Sequence, residues 1–400
     1  MLEGKCVVVG VCGGIAAYKA CTLVSSLSKL GADVRVIMTE AAKEFVGEVT
    51  FRTLSKNPVY DNMFNRPERW EVEHVELAKK ADLIVVCPAS ANTIAKLAWG
   101  MADNPLCATV LASKAKKLVC PAMNTGMYDN EATQQNIEIL KKRGFLFVSP
   151  GEGYLACGDV GRGRMAEPED ILDVILNELA YEKDLLGKKV LVSAGPTCEA
   201  IDPVRYITNH SSGKMGYAVA KAAAMRGAEV VLVSGKTSLK APFGVHTEYI
   251  TSAEDMYNTI MKFAPDSDII IKSAAVADFT PLEAADNKIK KSDSADMEIR
   301  LKKTKDILSE LGKNKKEGQV IGGFCMETRD LIESAEKKLK SKNCDFIVAN
   351  NLFDSGAGFG TDTNTVTILL KNGERYTPEN MEKEKLAHVI LDVAKKFIVR

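Results

Sequence analysis

Residues 5–19 read KCVVVGVCGGIAAYK, an apolar strand that runs into a pair of glycines and then into a helix. A similar junction occurs in the second half, where residues 189–197 read KVLVSAGPT and a helix opens later, at Ser212-Gly213-Lys214-Met215-Gly216. A strand–glycine–helix junction points free backbone N–H groups at an anion, usually a phosphate. With one junction in each half, the sequence predicts two nucleotide-type sites and two enzymes in one polypeptide.

Both halves alternate short apolar strands with helices. Such alternation predicts an α/β fold in which helices cover a parallel sheet, here once in each half. The predicted strands are residues 7–11, 34–38, 83–87, 118–120 and 145–148, then 190–193, 230–234, 268–275, 320–327 and 346–350. A hairpin through Asn372-Gly373 is predicted for residues 365–370 and 375–377, and a helix for 378–398.

Two segments interrupt this alternation. Residues 150–168 are too rich in glycine for a core element, and we expect a mobile functional loop there. A helix is predicted for residues 169–181, and the charged residues 182–188 follow it. The predicted domains are therefore 1–181 and 186–400.

The bulk composition excludes several classes of protein. Lys+Arg and Asp+Glu both number 53, so net charge gives no reason to expect nucleic acid or an anionic membrane. No apolar run approaches the ~20 residues that span a bilayer, and no signal peptide is visible. The ten cysteines are scattered without CxxC pairs, which predicts a reduced cytoplasmic protein without a disulfide framework or zinc site.

Four segments with chemical potential follow strands in the first half. They are Gly13-Gly14, Thr39, the run from Cys87 to Thr93 that includes Ser90 and Asn92, and Pro121-Ala122-Met123-Asn124. Ligands of open parallel sheets gather beyond the carboxyl ends of the strands. A lone Gly-Gly is more often a plain tight turn, so the convergence of the four segments is what indicates a ligand site.

These residues, together with Ala156-Cys157-Gly158-Asp159, resemble the FMN-dependent cysteine decarboxylases. In particular they are similar to the decarboxylase half of the bifunctional decarboxylase–ligase family of coenzyme A synthesis. The resemblance implies a flavodoxin-like fold that binds FMN between the subunits of a trimer. It also implies oxidation of a cysteine amide to a thioaldehyde, loss of CO₂ to an ene-thiolate, and return of the hydride by the flavin.

The resemblance assigns roles to residues that would otherwise be unremarkable. A lone His74 would more often be a packing residue, Asn124 a turn residue and Cys157 one more thiol. By the resemblance, His74 polarises the substrate carboxylate, Asn124 holds it, and Cys157 is the proton donor on a lid. Arg162 and Arg164 either meet the substrate phosphate or are solvated. Gly13, Gly14, Thr39, Ser90, Asn92, Thr93 and Ala122 are the expected FMN-binding residues.

The first half departs from the family pattern at Cys12, where members often have serine. A thiol is a weaker hydrogen-bond donor than a hydroxyl. Backbone N–H groups are therefore expected to supply more of the binding of the FMN phosphate.

The second half carries a long polar signature that includes Gly195-Pro196-Thr197, Arg205 and the run from Asn209 to Gly216. A dinucleotide-binding loop is the generic alternative, but no G-x-G-x-x-G follows the strand directly. The signature resembles the phosphopantothenate–cysteine ligases, which activate a carboxylate with CTP, and a Rossmann-like α/β domain is expected. By the resemblance, Asn209 handles the acyl-cytidylate intermediate and Arg205 is an oxyanion or phosphate partner.

The same resemblance gives the expected CTP site. It comprises Ala274, Asp278, Lys288, Asp306, Ile307, Phe324, Lys338 and Lys342. Lysines here would follow charge onto the leaving pyrophosphate, although most lysines of this region are expected to be solvated. Thr304-Lys305 stands where the family commonly has Asn-Pro, which makes triphosphate contacts there less certain.

Together the halves imply a two-step synthesis. The carboxylate of 4′-phosphopantothenate attacks the α-phosphate of CTP, the cysteine amine displaces CMP, and the other half decarboxylates the product. Mg²⁺ is expected with CTP; its ligands are unknown, with Asp278 one possibility. A homo-oligomer with trimeric flavin cores and dimeric ligase domains, a dodecamer, is expected by analogy.

Three alternatives remain open at this point. The first half could be a non-catalytic flavoprotein regulator, against which the retained His74, Asn124 and Cys157 argue. It could belong to another flavin decarboxylase or a prenyl-flavin synthase, against which the run from Asn209 argues. An NAD-dependent dehydrogenase would bind nicotinamide and would not depend on CTP.

Overall fold

The computed structural model describes residues 1–63, 72–154, 158, 160–290, 298–327, 330–351 and 361–398. The chain divides into two compact units, Met1–Tyr181 and Glu182–Arg400. No helix within the described ranges is long and apolar enough to cross a membrane. Each unit is an α/β structure built on its own sheet, as the alternation of strands and helices predicts.

The first unit alternates strands with helices from its first strand onward. Its strands are β1 Cys6–Val11, β2 Asp33–Met38, β3 Val59–Tyr60, β4 Leu83–Ala89, β5 Lys116–Pro121, β6 Leu146–Phe147, β7 Gly151–Tyr154 and β8 Val160–Arg164. Its helices are α1 Ala17–Lys29, α2 Glu40–Lys43, α3 Glu48–Ser55, α4 Glu73–Lys80, α5 Ala91–Trp99, α6 Pro105–Ala112, α7 Thr125–Asp129, α8 Glu131–Lys142 and α9 Pro168–Leu179.

The main sheet of this unit has the strand order β3-β2-β1-β4-β5-β6, and all of its pairings are parallel. Without the short edge strand β3, the order is the flavodoxin order. β1 and β4 are buried along their whole length, which explains why both read as continuous apolar runs. The chain leaves β1 toward β2 on one side and returns to β4 on the other, so the switch point lies between β1 and β4.

The glycine-rich segment differs from its prediction. We expected a mobile loop over residues 150–168, but β7 and β8 form an antiparallel hairpin. Its residues are mostly exposed or half-buried, so the segment is not a core element. Close approach requires glycine at position 163, because a side chain there would collide with the Met123 carbonyl oxygen.

The second unit repeats the alternation and adds an antiparallel edge. Its strands are β9 Lys189–Ala194, β10 Cys198–Ala200, β11 Tyr206–Thr208, β12 Glu229–Ser234, β13 Val245–Tyr249, β14 Ile269–Lys272, β15 Phe279–Pro281, β16 Leu301–Lys303, β17 Val320–Glu327, β18 Phe346–Asn351, β19 Thr363–Asn364, β20 Thr367–Leu370, β21 Arg375–Tyr376 and β22 Met381–Glu382. Its helices are α10 Lys214–Met225, α11 Ala253–Phe263, α12 Ile307–Lys313, α13 Leu331–Ser341 and α14 Lys383–Ile398, with a 3₁₀ turn at Ala264–Asp266.

The large sheet of the second unit has the order β13-β12-β9-β14-β17-β18-β20-β21. The strands from β13 to β18 are parallel and follow the Rossmann order, whereas β20 and β21 pair antiparallel. One face packs against α10 and α14, and the other against α11, α12 and α13. The switch point lies between β9 and β14.

Several boundaries differ from those predicted. The strand predicted for residues 268–275 stops at Lys272, because the following residues leave the sheet to contact the end of β9. The last helix begins at Lys383 and not at residue 378. The hairpin through Asn372-Gly373 is confirmed: Gly373 has φ 89° and its N–H donates to the Leu370 carbonyl at 3.0 Å.

Candidate active sites

The chemical segments of the first unit meet at the carboxyl edge of its sheet. The Thr39 N–H donates to the Val11 carbonyl at 3.0 Å, which joins the end of β2 to the end of β1. The Ala122 N–H donates to the Ala89 carbonyl at 3.0 Å, which joins the ends of β5 and β4. Gly13-Gly14, Thr39, Ser90 and Ala122 therefore follow neighbouring strands on one edge of the sheet.

The turn after β1 has the properties of an anion cradle. No hydrogen bond within the described part of the chain uses the N–H groups of Gly13 or Gly14. The Thr39 hydroxyl beside them is shielded from solvent and has no partner among the described residues. Gly14 faces open space, whereas a side chain at Gly13 would collide with Ala41. Donors without acceptors beside open space fit a phosphate.

Cys12 does not face this cradle. Its thiol is buried in the apolar core, close to Thr93 and Ser90. Burial raises the pKa of the Cys12 thiol to about 11, so it stays neutral. The replacement of serine by cysteine is therefore accommodated by packing, and the anion must be held by other groups.

Ser90 and Thr93 form the start of α5. The Ser90 hydroxyl caps the helix by accepting from the Thr93 N–H at 3.3 Å, and Thr93 is buried. Asn92 lies between them on the same turn and is exposed. Of these predicted ligand-binding residues, only Asn92 presents an exposed polar side chain on the structure as it stands.

Asn124 lies at the start of α7, directly beneath the hairpin. Its side-chain oxygen accepts from the Gly126 N–H at 2.8 Å, while the Met123 N–H donates to the Gly163 carbonyl at 3.0 Å. Gly163 has φ 139°, and a Cβ there would come within 2.2 Å of the Met123 oxygen. Only glycine lets the hairpin approach Asn124 so closely.

Of the remaining candidates of the first unit, the structure describes His74, Arg162 and Arg164 but not Cys157. His74 lies in the first turn of α4, and its buried Nδ1 has no hydrogen-bond partner among the described residues. Cys157 lies outside the described residues, between the two strands of the hairpin. Arg164 pairs with Glu167, which also holds the buried Lys19. Arg162 is 59% exposed, and its ionic contacts with the described residues are long, at 3.9 and 4.0 Å, so it is less engaged than Arg164.

In the second unit, Asn209 is bonded to the segment that follows β14. Its side-chain amide donates to the Val276 carbonyl at 3.1 Å. The buried Thr197 hydroxyl accepts from the Ala277 N–H at 3.0 Å, and the Thr197 carbonyl accepts from Thr208. These bonds bring the signature after β9 together with the segment after β14 that contains Ala274 and the exposed Asp278.

Arg205 is held by a buried carboxylate. Its guanidinium donates to Asp202, with Nε–Oδ2 at 2.9 Å, and to the Ile289 carbonyl at 2.8 Å. Burial alone would raise the pKa of Asp202, but the hydrogen bonds from Arg205 and from backbone N–H groups hold that pKa well below its usual range. The pair thus anchors the backbone at Ile289, directly after the exposed Lys288.

The other predicted CTP residues gather above β17. Lys338 Nζ donates to the Phe324 carbonyl at 2.7 Å, and Lys342 Nζ pairs with Asp306 at 2.6 Å. Asp306 begins α12, and Ile307 is buried beneath it. Lys338 on α13 therefore reaches β17, and Lys342, directly after α13, reaches the start of α12.

The departure at Thr304-Lys305 has a structural role. The Thr304 hydroxyl donates to the Ala277 carbonyl at 2.7 Å and its N–H donates to the Asp278 carbonyl at 3.0 Å. Lys305 pairs with Glu254 and lies over the Tyr257 ring, 4.4 Å from its centroid. Thr304 therefore joins the segments that carry Asp278 and Asp306, while Lys305 is engaged by α11.

Sequence reasoning missed Lys272, the last residue of β14. Its Nζ donates to the Ala274 carbonyl at 3.1 Å, close to Lys338 and Asp306. The only sequence signal was a lysine at the end of an apolar run, which also describes an ordinary strand end. Within the described ranges there is no cluster of three or more His, Cys, Asp or Glu side chains that could hold a metal ion.

Comparison with known proteins covers both units. Residues 1–180 match the family described as Flavoprotein, and residues 185–397 match the family described as DNA/pantothenate metabolism flavoprotein C-terminal domain. The chain is 49% identical to the "Coenzyme A biosynthesis bifunctional protein CoaBC" of Bacillus subtilis over 98% of this chain and 97% of that protein. It is 41% identical to the protein of the same name from Escherichia coli, over 98% of this chain and 97% of that protein.

Solved structures resemble each half separately. A C-terminal domain of a protein of that same name is 40% identical, covers 55% of this chain and 98% of its own, and has a TM-score of 0.46. A PPC decarboxylase mutant complexed with pantothenoylaminoethenethiol is 30% identical, covers 43% of this chain and 96% of its own, and has a TM-score of 0.39.

Proposed function

The chain belongs to the family of bifunctional coenzyme A biosynthesis proteins, and from that premise we propose how its two sites divide the work. It is an enzyme with decarboxylase and ligase activities. We assign the FMN-dependent decarboxylation of 4′-phosphopantothenoylcysteine to residues 1–181. We assign the CTP-dependent joining of 4′-phosphopantothenate and cysteine to the rest of the chain.

The cradle at the carboxyl edge of the first sheet is the proposed site of the FMN phosphate. The unsatisfied Thr39 hydroxyl and the free N–H groups of Gly13 and Gly14 support this assignment. Ser90, Asn92, Thr93 and Ala122 line the neighbouring strand ends and complete the proposed FMN-binding set. When bound, FMN would supply hydride transfer, which no protein side chain can provide.

The protein's own residues would position the substrate and move its protons. Asn124 would hold the substrate carboxylate, because an amide donates hydrogen bonds without adding charge. His74 would polarise the same group through a nitrogen that the described fold leaves unsatisfied. Cys157 would donate the final proton, and Arg162 would meet the phosphate of the substrate.

In the second unit, the proposed reaction is activation of a carboxylate. The substrate carboxylate attacks the α-phosphate of CTP and pyrophosphate leaves; the cysteine amine then attacks the acyl carbon and CMP leaves. Lys288, Lys338 and Lys342 would follow the negative charge onto pyrophosphate. Ala274, Asp278, Asp306, Ile307 and Phe324 would line the rest of the CTP site. Asn209 would contact the acyl-cytidylate.

Arg205 contributes to this reaction by positioning. Because its guanidinium is already engaged by Asp202 and the Ile289 carbonyl, we favour a role in holding the segment that carries Lys288. Mg²⁺ would enter as the complex with CTP, with Asp278 as the proposed contact. We expect the enzyme to act in the cytoplasm, where CTP is available, as a homo-oligomer of trimeric flavin cores and dimeric ligase domains, a dodecamer.

The observation that supports the proposal is that several predicted site residues lie together at the carboxyl edge of the sheet in each unit. The test is incubation of the full chain with 4′-phosphopantothenate, CTP, Mg²⁺ and cysteine, followed by mass analysis for 4′-phosphopantetheine. Asn209→Ala should abolish ligation and spare decarboxylation of supplied 4′-phosphopantothenoylcysteine. Cys157→Ser should keep ligation and FMN binding, and should lose the final protonation of the decarboxylation reaction. A wild-type chain that makes no product, or variants that lose both activities equally, would contradict the division.

A further inference from the structure

Lys272 occupies the switch point of the second sheet. It ends β14 and pairs in register with Ser193 of β9 on one side and Gly323 of β17 on the other. Neighbouring residues in register on parallel strands point to the same face of the sheet. Gly323 has no side chain and Ser193 has a short one, so the lysine has room to extend along this face.

The amino group of Lys272 is not neutralised by the described residues. Its Nζ donates to the Ala274 carbonyl at 3.1 Å, and no carboxylate of the described chain forms a salt bridge with it. Lys338 likewise has no carboxylate partner among the described residues, and its Nζ donates to the Phe324 carbonyl at 2.7 Å. Asp306 is close to Lys272, but it is bonded to Lys342 at 2.6 Å.

Two partly buried ammonium groups without carboxylate partners are costly unless an anion joins them. Ala274 and Phe324, whose carbonyls accept these two bonds, both belong to the proposed CTP site. We propose that Lys272 is a further phosphate-binding residue of this site, acting with Lys338 on the triphosphate of CTP. This inference rests on the proposed ligase function and adds to it a residue that supplies binding energy for the anionic part of the nucleotide.

The electrostatic surroundings support the same assignment. Burial, and after it the positive charge of Lys338, lower the pKa of Lys272 to about 8, while Asp306 and Asp278 oppose the shift. The group is therefore charged near neutral pH and loses its proton on mild alkalinisation. Binding of an anion would stabilise the charged form, so affinity should fall as the pH rises through this range.

The test compares wild type, Lys272→Met and Lys340→Met as full chains. Methionine keeps the length of the side chain and removes its charge, and Lys340 is an exposed lysine of α13 that serves as the matched control. Binding of CTP with Mg²⁺, and of inorganic triphosphate, is measured by calorimetry. We expect Lys272→Met to weaken both ligands about tenfold at about pH 7, the loss of one charge-assisted hydrogen bond. Lys340→Met should bind like wild type.

The pH dependence provides the second readout. Between about pH 7 and about pH 9 the wild type should lose affinity for CTP, and Lys272→Met should lose much less. Equal affinity of wild type and Lys272→Met, or a loss for CTP without a loss for inorganic triphosphate, would overturn the inference. A wild type that binds no CTP would instead overturn the proposed function itself. Thermal unfolding of each variant confirms that it is folded.

Discussion

Arg226 at the end of α10 and Asp184 in the segment before β9 form a two-point ion pair, with Nε–Oδ1 at 2.8 Å and Nη2–Oδ2 at 2.6 Å. The Arg226 side chain is only 6% exposed, and the adjacent Leu185 is buried in the core of the second unit. Lys395 of α14 also pairs with Asp184. The charged connection therefore belongs physically to the second unit, and we propose that the ligase domain begins at Glu182.

The first prediction concerns this boundary. A fragment of residues 182–400 should be more stable than one of residues 186–400, because the shorter fragment leaves Arg226 buried without Asp184 and loses Leu185. Arg226 keeps its contact with Asp392 at 2.7 Å, so the cost is that of one charge-assisted ion pair and one buried apolar side chain, about 3 kcal/mol. Urea unfolding measures the difference. Asp184→Asn in the longer fragment should reproduce part of it, and equal midpoints for the two fragments would contradict the assignment.

The second prediction concerns pH. Because the folded pKa of Asp202 is depressed, its contribution to stability is present above its unfolded pKa of about 4 and is lost as the pH falls. Asp202→Asn should lower the thermal midpoint at neutral pH and flatten the decline of the midpoint on acidification. Asp266→Asn, at an exposed aspartate of the same unit, is the control and should behave like wild type. If the wild-type and Asp202→Asn pH profiles are parallel, the ion pair of Asp202 with Arg205 does not stabilise the fold in this way.

Most strands could be predicted because a strand that is buried on both faces of the sheet consists almost entirely of apolar residues. β1, β4, β9 and β17 all read this way, and the parallel topology follows from the helices between them. β13 was missed because its residues are half-buried or exposed at the sheet edge. The hairpin β7–β8 was missed because its glycines are typical of a loop, while the close approach of Gly163 to Met123 exists only in three dimensions.

The positions of the candidate sites could be predicted from the topology of the sheets. The charged partners of the site residues could not. Residues after parallel strands share an edge, so Thr39, Ala122 and Ala274 could be expected at ligand sites from the order of elements alone. The bonds of Arg205 to Asp202 and to the Ile289 carbonyl could not be predicted from the sequence, because Ile289 is far along the chain. Lys272 was hidden because its environment is set by Gly323 and Lys338, which come from other elements.

The third prediction tests the anion cradle of the first unit. Thr39→Val removes the unsatisfied hydroxyl and keeps the shape of the side chain. If that hydroxyl binds the FMN phosphate, affinity for FMN should fall about tenfold, the value of one hydrogen bond to a charged group. Flavin fluorescence during titration of the apoprotein measures this. Thr53→Val is the control, because the Thr53 hydroxyl bonds within its own helix. Unchanged affinity in Thr39→Val would remove Thr39 from the site.

The fourth prediction uses two glycines of the hairpin that differ in one respect. Gly153 and Gly163 have similar positive φ angles, 148° and 139°, so alanine strains the backbone at either position. Only at Gly163 does the new Cβ also collide, at 2.2 Å from the Met123 oxygen, whereas nothing lies within 4 Å of a Cβ at Gly153. Gly163→Ala should therefore push the hairpin away from Asn124, and Gly153→Ala should not.

The comparison separates positioning from strain. A displacement near 1 Å at a catalytic group can cost about 100-fold in rate, so Gly163→Ala should lose decarboxylation of supplied 4′-phosphopantothenoylcysteine on that scale. Its ligase activity and its FMN content should remain those of wild type, because the hairpin carries no residue assigned to CTP or to the FMN phosphate. Gly153→Ala should retain most of its decarboxylase activity. If the two variants lose decarboxylation to the same extent, backbone strain alone explains the loss, and the contact between Gly163 and Met123 does not position Asn124.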